Sequence, residues 1–139
     1  MITQVHKHII NELQQNIRTD RIFVITAIVF NLIALAINAS IAGSHDSATD
    51  DLIMGIFIFI SIVINTIAAL GLNTGRKSRE KLLHGLISMY EDHDVAKYYD
   101  ISLVKGYKNR YFLFIAVILS LAFTAIVIPL IIRFSHTPM

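Results

Sequence analysis

Three long stretches of the chain contain no Asp, Glu, Lys or Arg and consist mostly of Ile, Leu, Val, Ala and Phe. They cover residues 22–45, 52–75 and 111–132. A bilayer core of about 30 Å is crossed by roughly 20 helical residues, and a helix pairs its own backbone N–H and C=O groups, as lipid requires. The stretches therefore predict three transmembrane helices.

The overall composition agrees with a membrane protein and leaves little room for a separate soluble domain. Hydrophobic residues make up 55% of the 139 residues and charged residues only 16%, against about 25% charged residues in ordinary soluble domains. We therefore expect a single all-α membrane domain over residues 1–139, with the lipid bilayer as its main partner. The expected spans are residues 22–43, 52–72 and 111–132.

The distribution of positive charge predicts the orientation of the chain. Eight of the twelve Lys and Arg residues lie between residues 76 and 110, three more precede residue 22, and the loop after the first span has none. Because Lys and Arg concentrate on the cytoplasmic side, the N-terminus and the 73–110 segment are predicted to be cytoplasmic. The C-terminus is predicted to be extracytoplasmic, in a plasma or inner membrane. Arg133 is the one cation that disagrees.

Two regions next to the spans have the apolar periodicity of amphipathic helices. Residues 1–21 either lie on the membrane surface as a separate helix or extend the first span. Gly71 and Gly75 bracket a short polar cluster that is expected to end the second span. A cytoplasmic helix would then run from about Arg76 to Tyr90.

The first two spans are predicted to form an antiparallel hairpin. Gly43 begins a short turn, and Thr49 is the expected N-cap of the second span. Asp50 and Asp51 would follow in the first turn, where carboxylates face the positive end of the helix dipole.

The spans contain no acidic or basic residue, which argues against proton coupling and voltage sensing. Each span instead has one face of small and neutral polar residues at helical spacing. The polar members of these faces are Asn31, Asn38, Ser61, Asn65, Ser120 and Thr124. Such residues usually hold helices together; alternatively they line an uncharged pore, which three helices could enclose only as an oligomer.

The cytoplasmic segment carries two candidate surfaces. The apolar face of its helix is predicted to couple to a cytoplasmic protein or signal. It consists of Leu82, Leu83, Leu86, Ile87 and Tyr90. A basic cluster beside the second span is predicted to contact anionic lipid. It consists of Arg76, Lys77, Arg79 and Lys81.

A carboxylate and imidazole cluster follows that helix. It consists of Glu91, Asp92, His93 and Asp94. Its spacing matches neither an EF-hand loop nor a zinc motif, so a solvated turn is expected rather than a metal site.

The chain lacks Cys and the GxSxG and HExxH motifs, and no catalytic residue, cofactor or nucleic-acid partner is expected. We therefore expect a non-enzymatic, homo-oligomeric pore or membrane-permeabilising module that is gated through its cytoplasmic helices. The main alternative is a non-conducting accessory, regulatory or immunity-type protein that binds a partner's transmembrane helices. A lipid-acting enzyme that uses Glu91, Asp92 or His93 is a third class.

Overall fold

The computed structural model of the protein describes residues 1–44, 47–93 and 102–136. Every regular element within these ranges is an α-helix. The helices are α1 (Ile2–Ala42), α2 (Ala48–Asp92) and α3 (Ser102–His136). All three are long and apolar enough to cross a membrane, with mean hydropathies of 2.4, 2.5 and 2.9 in their most apolar parts. The prediction of an all-helical protein with three such helices is confirmed.

Most of the apolar surface faces outward. Only 28%, 22% and 17% of the residues in the most apolar parts of α1, α2 and α3 are buried. Large side chains such as Ile22, Phe59 and Phe123 remain exposed. Continuous apolar surface of this extent is rare on soluble proteins and fits contact with lipid.

The N-terminal residues are part of the first long helix. α1 has 41 residues and continues without a break from Ile2 into the first uncharged stretch. It contains no Gly or Pro that would interrupt it. Of the two alternatives that the sequence leaves open, the structure therefore has the extension of the first span.

The prediction that the cluster bracketed by Gly71 and Gly75 stops a helix is wrong, because α2 runs through both glycines for 45 residues. Both glycines instead face α1. A Cβ atom at Gly71 would lie 2.9 Å from the ring of Phe23, and one at Gly75 would overlap the carboxylate of Asp20. The glycines provide space for close helix packing. This contact outweighs their low helix propensity, which costs about 1 kcal/mol each.

The N-cap of α2 is Ser47 and not the predicted Thr49. The Ser47 hydroxyl accepts a hydrogen bond from the backbone N–H of Asp50 at 3.1 Å, and the helix begins at Ala48. Thr49 therefore lies within the first turn. Asp50 and Asp51 occupy this turn as predicted, where their carboxylates interact favourably with the positive end of the helix dipole.

The chain divides into two compact units, each of which contains parts of all three helices. The flanking unit consists of Met1–Phe23 and Leu70–Phe114, and the apolar unit consists of Val24–Ala69 and Ile115–Met139. Within the flanking unit, residues early in α1 contact residues late in α2, as expected for an antiparallel α1–α2 hairpin.

The two units have different cores. Leucines form the main apolar cluster of the flanking unit, where Leu13 of α1 packs against Leu83 and Leu86 of α2. Small side chains are frequent at the buried positions of the apolar unit. They include Ala27, Ala34, Ala42, Ser61, Ala68 and Ala125. Small residues allow helix backbones to approach closely, which is the usual packing of helices in membranes.

Candidate functional site

Two of the predicted polar residues bind each other in the core of the apolar unit. The amide nitrogen of Asn31 donates to the amide oxygen of Asn65 at 2.8 Å, and Asn65 returns the same bond at 2.9 Å. Asn65 also donates to the backbone oxygen of Ser61 at 2.7 Å. Asn31, Ser61 and Asn65 are all buried. The structure thus joins Asn31 and Asn65 in a hydrogen-bonded contact between α1 and α2, while Ser61 contributes only its backbone oxygen, within α2.

Asn38 is also buried in the apolar unit, with an exposed fraction of 0%. Neither its amide nitrogen nor its amide oxygen has a hydrogen-bond partner among the described residues. A buried polar group without a partner costs about 1–3 kcal/mol. The burial of Asn38 therefore lowers the stability of the fold.

The polar residues of α3 do not join this contact. Ser120 is exposed and Thr124 is partly exposed. The Thr124 hydroxyl donates to the backbone oxygen of Ser120 at 2.8 Å. Ala116, one turn before Ser120, is exposed as well. The small and polar face of α3 is consequently on the outside of this chain.

The core of the flanking unit contains an ion pair that the sequence analysis missed. Asp20 of α1 and Arg79 of α2 form a salt bridge in which each side chain is only 7% exposed. Arg79 also donates to the amide oxygen of Asn16 at 3.0 Å. A seven-residue row along α1 could have identified Asp20, because it lies seven residues before Ala27 and fourteen before Ala34.

The four residues of the basic cluster predicted to contact lipid differ in their burial and contacts. Arg79 is buried on Asp20. Arg76 lies over the ring of Tyr111, 4.7 Å from its centroid, and is partly buried. Lys77 and Lys81 are exposed. Contact with anionic lipid stays a prediction, and these two lysines are the members whose exposure suits it best.

The predicted coupling surface is largely covered by α1. Leu83 and Leu86 are buried against Leu13, and partly buried neighbours surround them. These neighbours include Ile9, Ile10, Leu82, Met89, Tyr90 and Tyr107. His6 Nε2 lies 3.0 Å from the Tyr90 hydroxyl and extends this contact toward the N-terminus. Ile87, the remaining predicted member, is partly exposed.

The residues considered as a cation site lie at the end of α2. Glu91, Asp92 and His93 are exposed, and Asp94 lies outside the described residues. Within the described ranges, no three His, Asp or Glu side chains come together in a way that could hold a metal ion.

A pocket of about 90 Å³ lies in the flanking unit beside the Asp20–Arg79 pair. Its walls include two further arginines, Arg21 and Arg110, both of them exposed. Two tyrosines and two apolar side chains complete the lining. These are Tyr107, Tyr111, Ile17 and Phe114. The pocket therefore combines positive charge, hydroxyl donors and apolar surface.

A second ion pair lies in the apolar unit. Arg133 Nη2 and Asp51 Oδ1 are 2.6 Å apart, and their side chains are 10% and 59% exposed. Arg133 is the cation that disagrees with the predicted orientation. Arg133 contacts an acid at the start of α2 and therefore has a structural role. Its positive charge carries correspondingly less weight in the prediction of orientation.

Comparisons of the chain with protein-family models, with curated proteins and with solved structures find no match. The class that the fold defines is an all-helical protein with three helices suited to a membrane.

Proposed function

We propose that the protein is a non-enzymatic membrane protein that acts as an accessory or regulatory subunit and binds the transmembrane helices of a partner. The single observation that carries this proposal is the reciprocal bond between Asn31 and Asn65. Two of the three amides predicted to line an uncharged pore satisfy each other in the core. Amides that bind each other stabilise the contact between α1 and α2. In this proposal they do not line a pathway.

The outward face of α3 supports the partner-binding part of the proposal. Ala116, Ser120 and Thr124 follow one another at four-residue spacing, and none of them is buried. Small side chains at this spacing let a second helix approach closely in lipid. The partner in this proposal is another membrane protein, and its helix packs on this face.

Current measurements in planar bilayers test the proposal. We expect purified protein to be electrically silent over a range of voltage, pH and Ca²⁺. A current that disappears in Asn31→Leu but persists in Thr66→Val would overturn it. Thr66 is a matched control because it is an exposed polar residue of the same helix as Asn65.

The second candidate function is the homo-oligomeric pore, and Asn38 favours it. Its buried amide has no partner among the described residues, so an arrangement that hydrated or paired this amide would recover about 1–3 kcal/mol. A pore that opens the hairpin at Asn38 would gain that energy, with the flanking unit receiving the cytoplasmic signal. Loss of current in Asn38→Leu with oligomer size unchanged would support this candidate, whereas a monomer in detergent would remove it.

The proposed orientation has a cytoplasmic N-terminus and an extracytoplasmic C-terminus. The chain contains no Cys, so single cysteines report on their positions without background. Ser47 and Ser88 are both exposed. We expect Ser47→Cys to react with an impermeant thiol reagent in intact cells and Ser88→Cys to react only after lysis. The reverse pattern would invert the orientation.

A further inference from the structure

We propose that the pocket beside the Asp20–Arg79 pair binds the phosphate group of an anionic phospholipid. The ligand class follows from the charges, the donors and the position of the pocket along the helices. The site differs from the exposed lysines of α2, because the two arginines proposed to bind the phosphate belong to α1 and α3.

The charge of the pocket is positive after its internal pair is counted. Asp20 is neutralised by Arg79. Arg21 and Arg110 remain, and neither has an ion-pair partner in the part of the chain that the structure describes. Arginine binds phosphate oxygens through paired N–H groups. Two exposed guanidinium groups on the wall of one pocket therefore form a site for one phosphate.

The tyrosines supply neutral donors and a fixed wall. Tyr107 and Tyr111 are partly buried, and each phenol can donate one hydrogen bond to a phosphate oxygen. The ring of Tyr111 lies under the guanidinium group of Arg76. This cation–π contact holds the ring in place. The ring of Tyr111 is consequently held on the wall of the pocket before any ligand arrives.

The position of the pocket favours a lipid over a soluble phosphate compound. Arg21 is the last charged residue before the uncharged stretch of α1, and Arg110 is the last one before that of α3. In a helix that spans a bilayer, such residues lie at the headgroups. Ile17 and Phe114 add apolar surface to the same pocket, where they suit the glycerol backbone and the first acyl carbons.

Native mass spectrometry of the purified full chain tests the proposal. Protein in detergent is titrated with phosphatidylglycerol, phosphatidylcholine or inorganic phosphate. We expect one phosphatidylglycerol per chain to bind at least about tenfold more tightly than phosphatidylcholine, because the arginines would repel the choline cation of phosphatidylcholine. Equal affinity for the two lipids would overturn the proposal. Displacement of phosphatidylglycerol by an equal concentration of inorganic phosphate would overturn the lipid source.

Charge-matched variants locate the binding. Arg21→Gln with Arg110→Gln removes two charges from the pocket, and we expect phosphatidylglycerol affinity to fall at least about tenfold. The control Lys7→Gln with Arg18→Gln removes two charges from exposed positions outside the pocket, and we expect less than about a twofold change. Equal losses in the two double variants would assign the affinity to surface charge and overturn the site.

Tyrosine variants keep the test decisive if the arginine variant fails to fold. Tyr107→Phe with Tyr111→Phe removes two hydroxyl groups and keeps both rings. We expect this variant to weaken phosphatidylglycerol binding about three- to tenfold, as for the loss of one or two hydrogen bonds. Unchanged affinity in a folded variant would contradict the proposed contacts.

Discussion

The flanking unit and the apolar unit hold α1 against α2 with polar contacts of different kinds. In the flanking unit the contact is the ion pair of Asp20 and Arg79. In the apolar unit it is the neutral amide pair of Asn31 and Asn65. A charged group inside lipid is costly, whereas an amide pair satisfies its own donors and acceptors. The difference shows how one hairpin combines a charged contact in the flanking unit with a neutral contact in the unit that contains most of the uncharged stretches.

The same contrast applies to the small residues next to these contacts. Gly75 in the flanking unit leaves space that the Asp20 carboxylate occupies. In the apolar unit, buried alanines such as Ala27, Ala34 and Ala68 are sufficient. Glycine is therefore used where a side chain from the facing helix lies directly on the backbone. Alanine is used where backbone approach alone is needed.

The largest expected effect is the loss of one member of the charged pair. Arg79→Met should lower the free energy of unfolding by about 3–5 kcal/mol, because it leaves the buried carboxylate of Asp20 without a counter-charge. The measurement is unfolding of the protein in mixed micelles by increasing SDS. The double variant Asp20→Leu with Arg79→Met should recover most of this loss, since neither charge then remains buried. A single variant as stable as the wild type would break the comparison between the units.

The next effect concerns Gly75. Gly75→Ala should destabilise the protein by about 1–3 kcal/mol, because the added methyl group must displace the carboxylate that Arg79 holds. Gly85 is the matched control in the same helix, since a Cβ there has no atom within 4 Å. Gly85→Ala should be stabilising by up to about 1 kcal/mol through helix propensity. The same SDS titration measures both variants, and equal signs for the two would contradict the role given to Gly75.

The amide pair should be worth less than the ion pair. A double-mutant cycle on Asn31→Leu and Asn65→Leu should give a coupling free energy of about 0.6–1.7 kcal/mol, the range for hydrogen bonds between membrane helices. Each single variant breaks both bonds of the reciprocal pair, so the two losses should not add. A coupling energy near zero in the cycle would mean that the reciprocal bond does not form in the membrane protein.

Asn38 should respond with the opposite sign. Asn38→Leu removes a buried amide that has no partner among the described residues, so we expect stability to rise by up to about 1 kcal/mol. Comparison with Asn31→Leu in the same titration measures the value of a satisfied amide against an unsatisfied one. A destabilisation as large as that of Asn31→Leu would indicate that Asn38 has a partner, and would favour the oligomer.

Sequence patterns predicted the three apolar helices because few other structures suit a long uncharged stretch in a chain of this hydrophobic composition. They failed at Gly71 and Gly75, because glycines beside polar residues suggest a turn. The helix is continuous there, and the facing side chains of Phe23 and Asp20 explain why the positions are glycine. Sequence patterns also gave no indication that residues far apart in the chain come together in the fold. Asp20 and Arg79 are 59 positions apart, and a single sequence carries no signal of such a contact.

The candidate residues show the same limit. The spacing of Asn31, Ser61 and Asn65 predicted polar faces on α1 and α2, and the structure shows that Asn31 and Asn65 meet within one chain. Helical periodicity indicates which residues share a face but not what that face contacts. The pocket around Arg21 and Arg110 was missed for this reason, since its walls come from separate helices.

The smallest expected effect concerns the second ion pair, which has the same chemistry as Asp20 and Arg79 but a carboxylate that is 59% exposed. Asp51→Asn should cost about 0.3–1 kcal/mol, as for exposed pairs and first-turn acids. Asp50→Asn is the comparison, because Asp50 is an acid in the same first turn of α2. The cost of Asp51→Asn should shrink at 1 M salt, where the screening length falls to about 3 Å. A salt-independent cost approaching that of Arg79→Met would show that burial does not distinguish the two ion pairs.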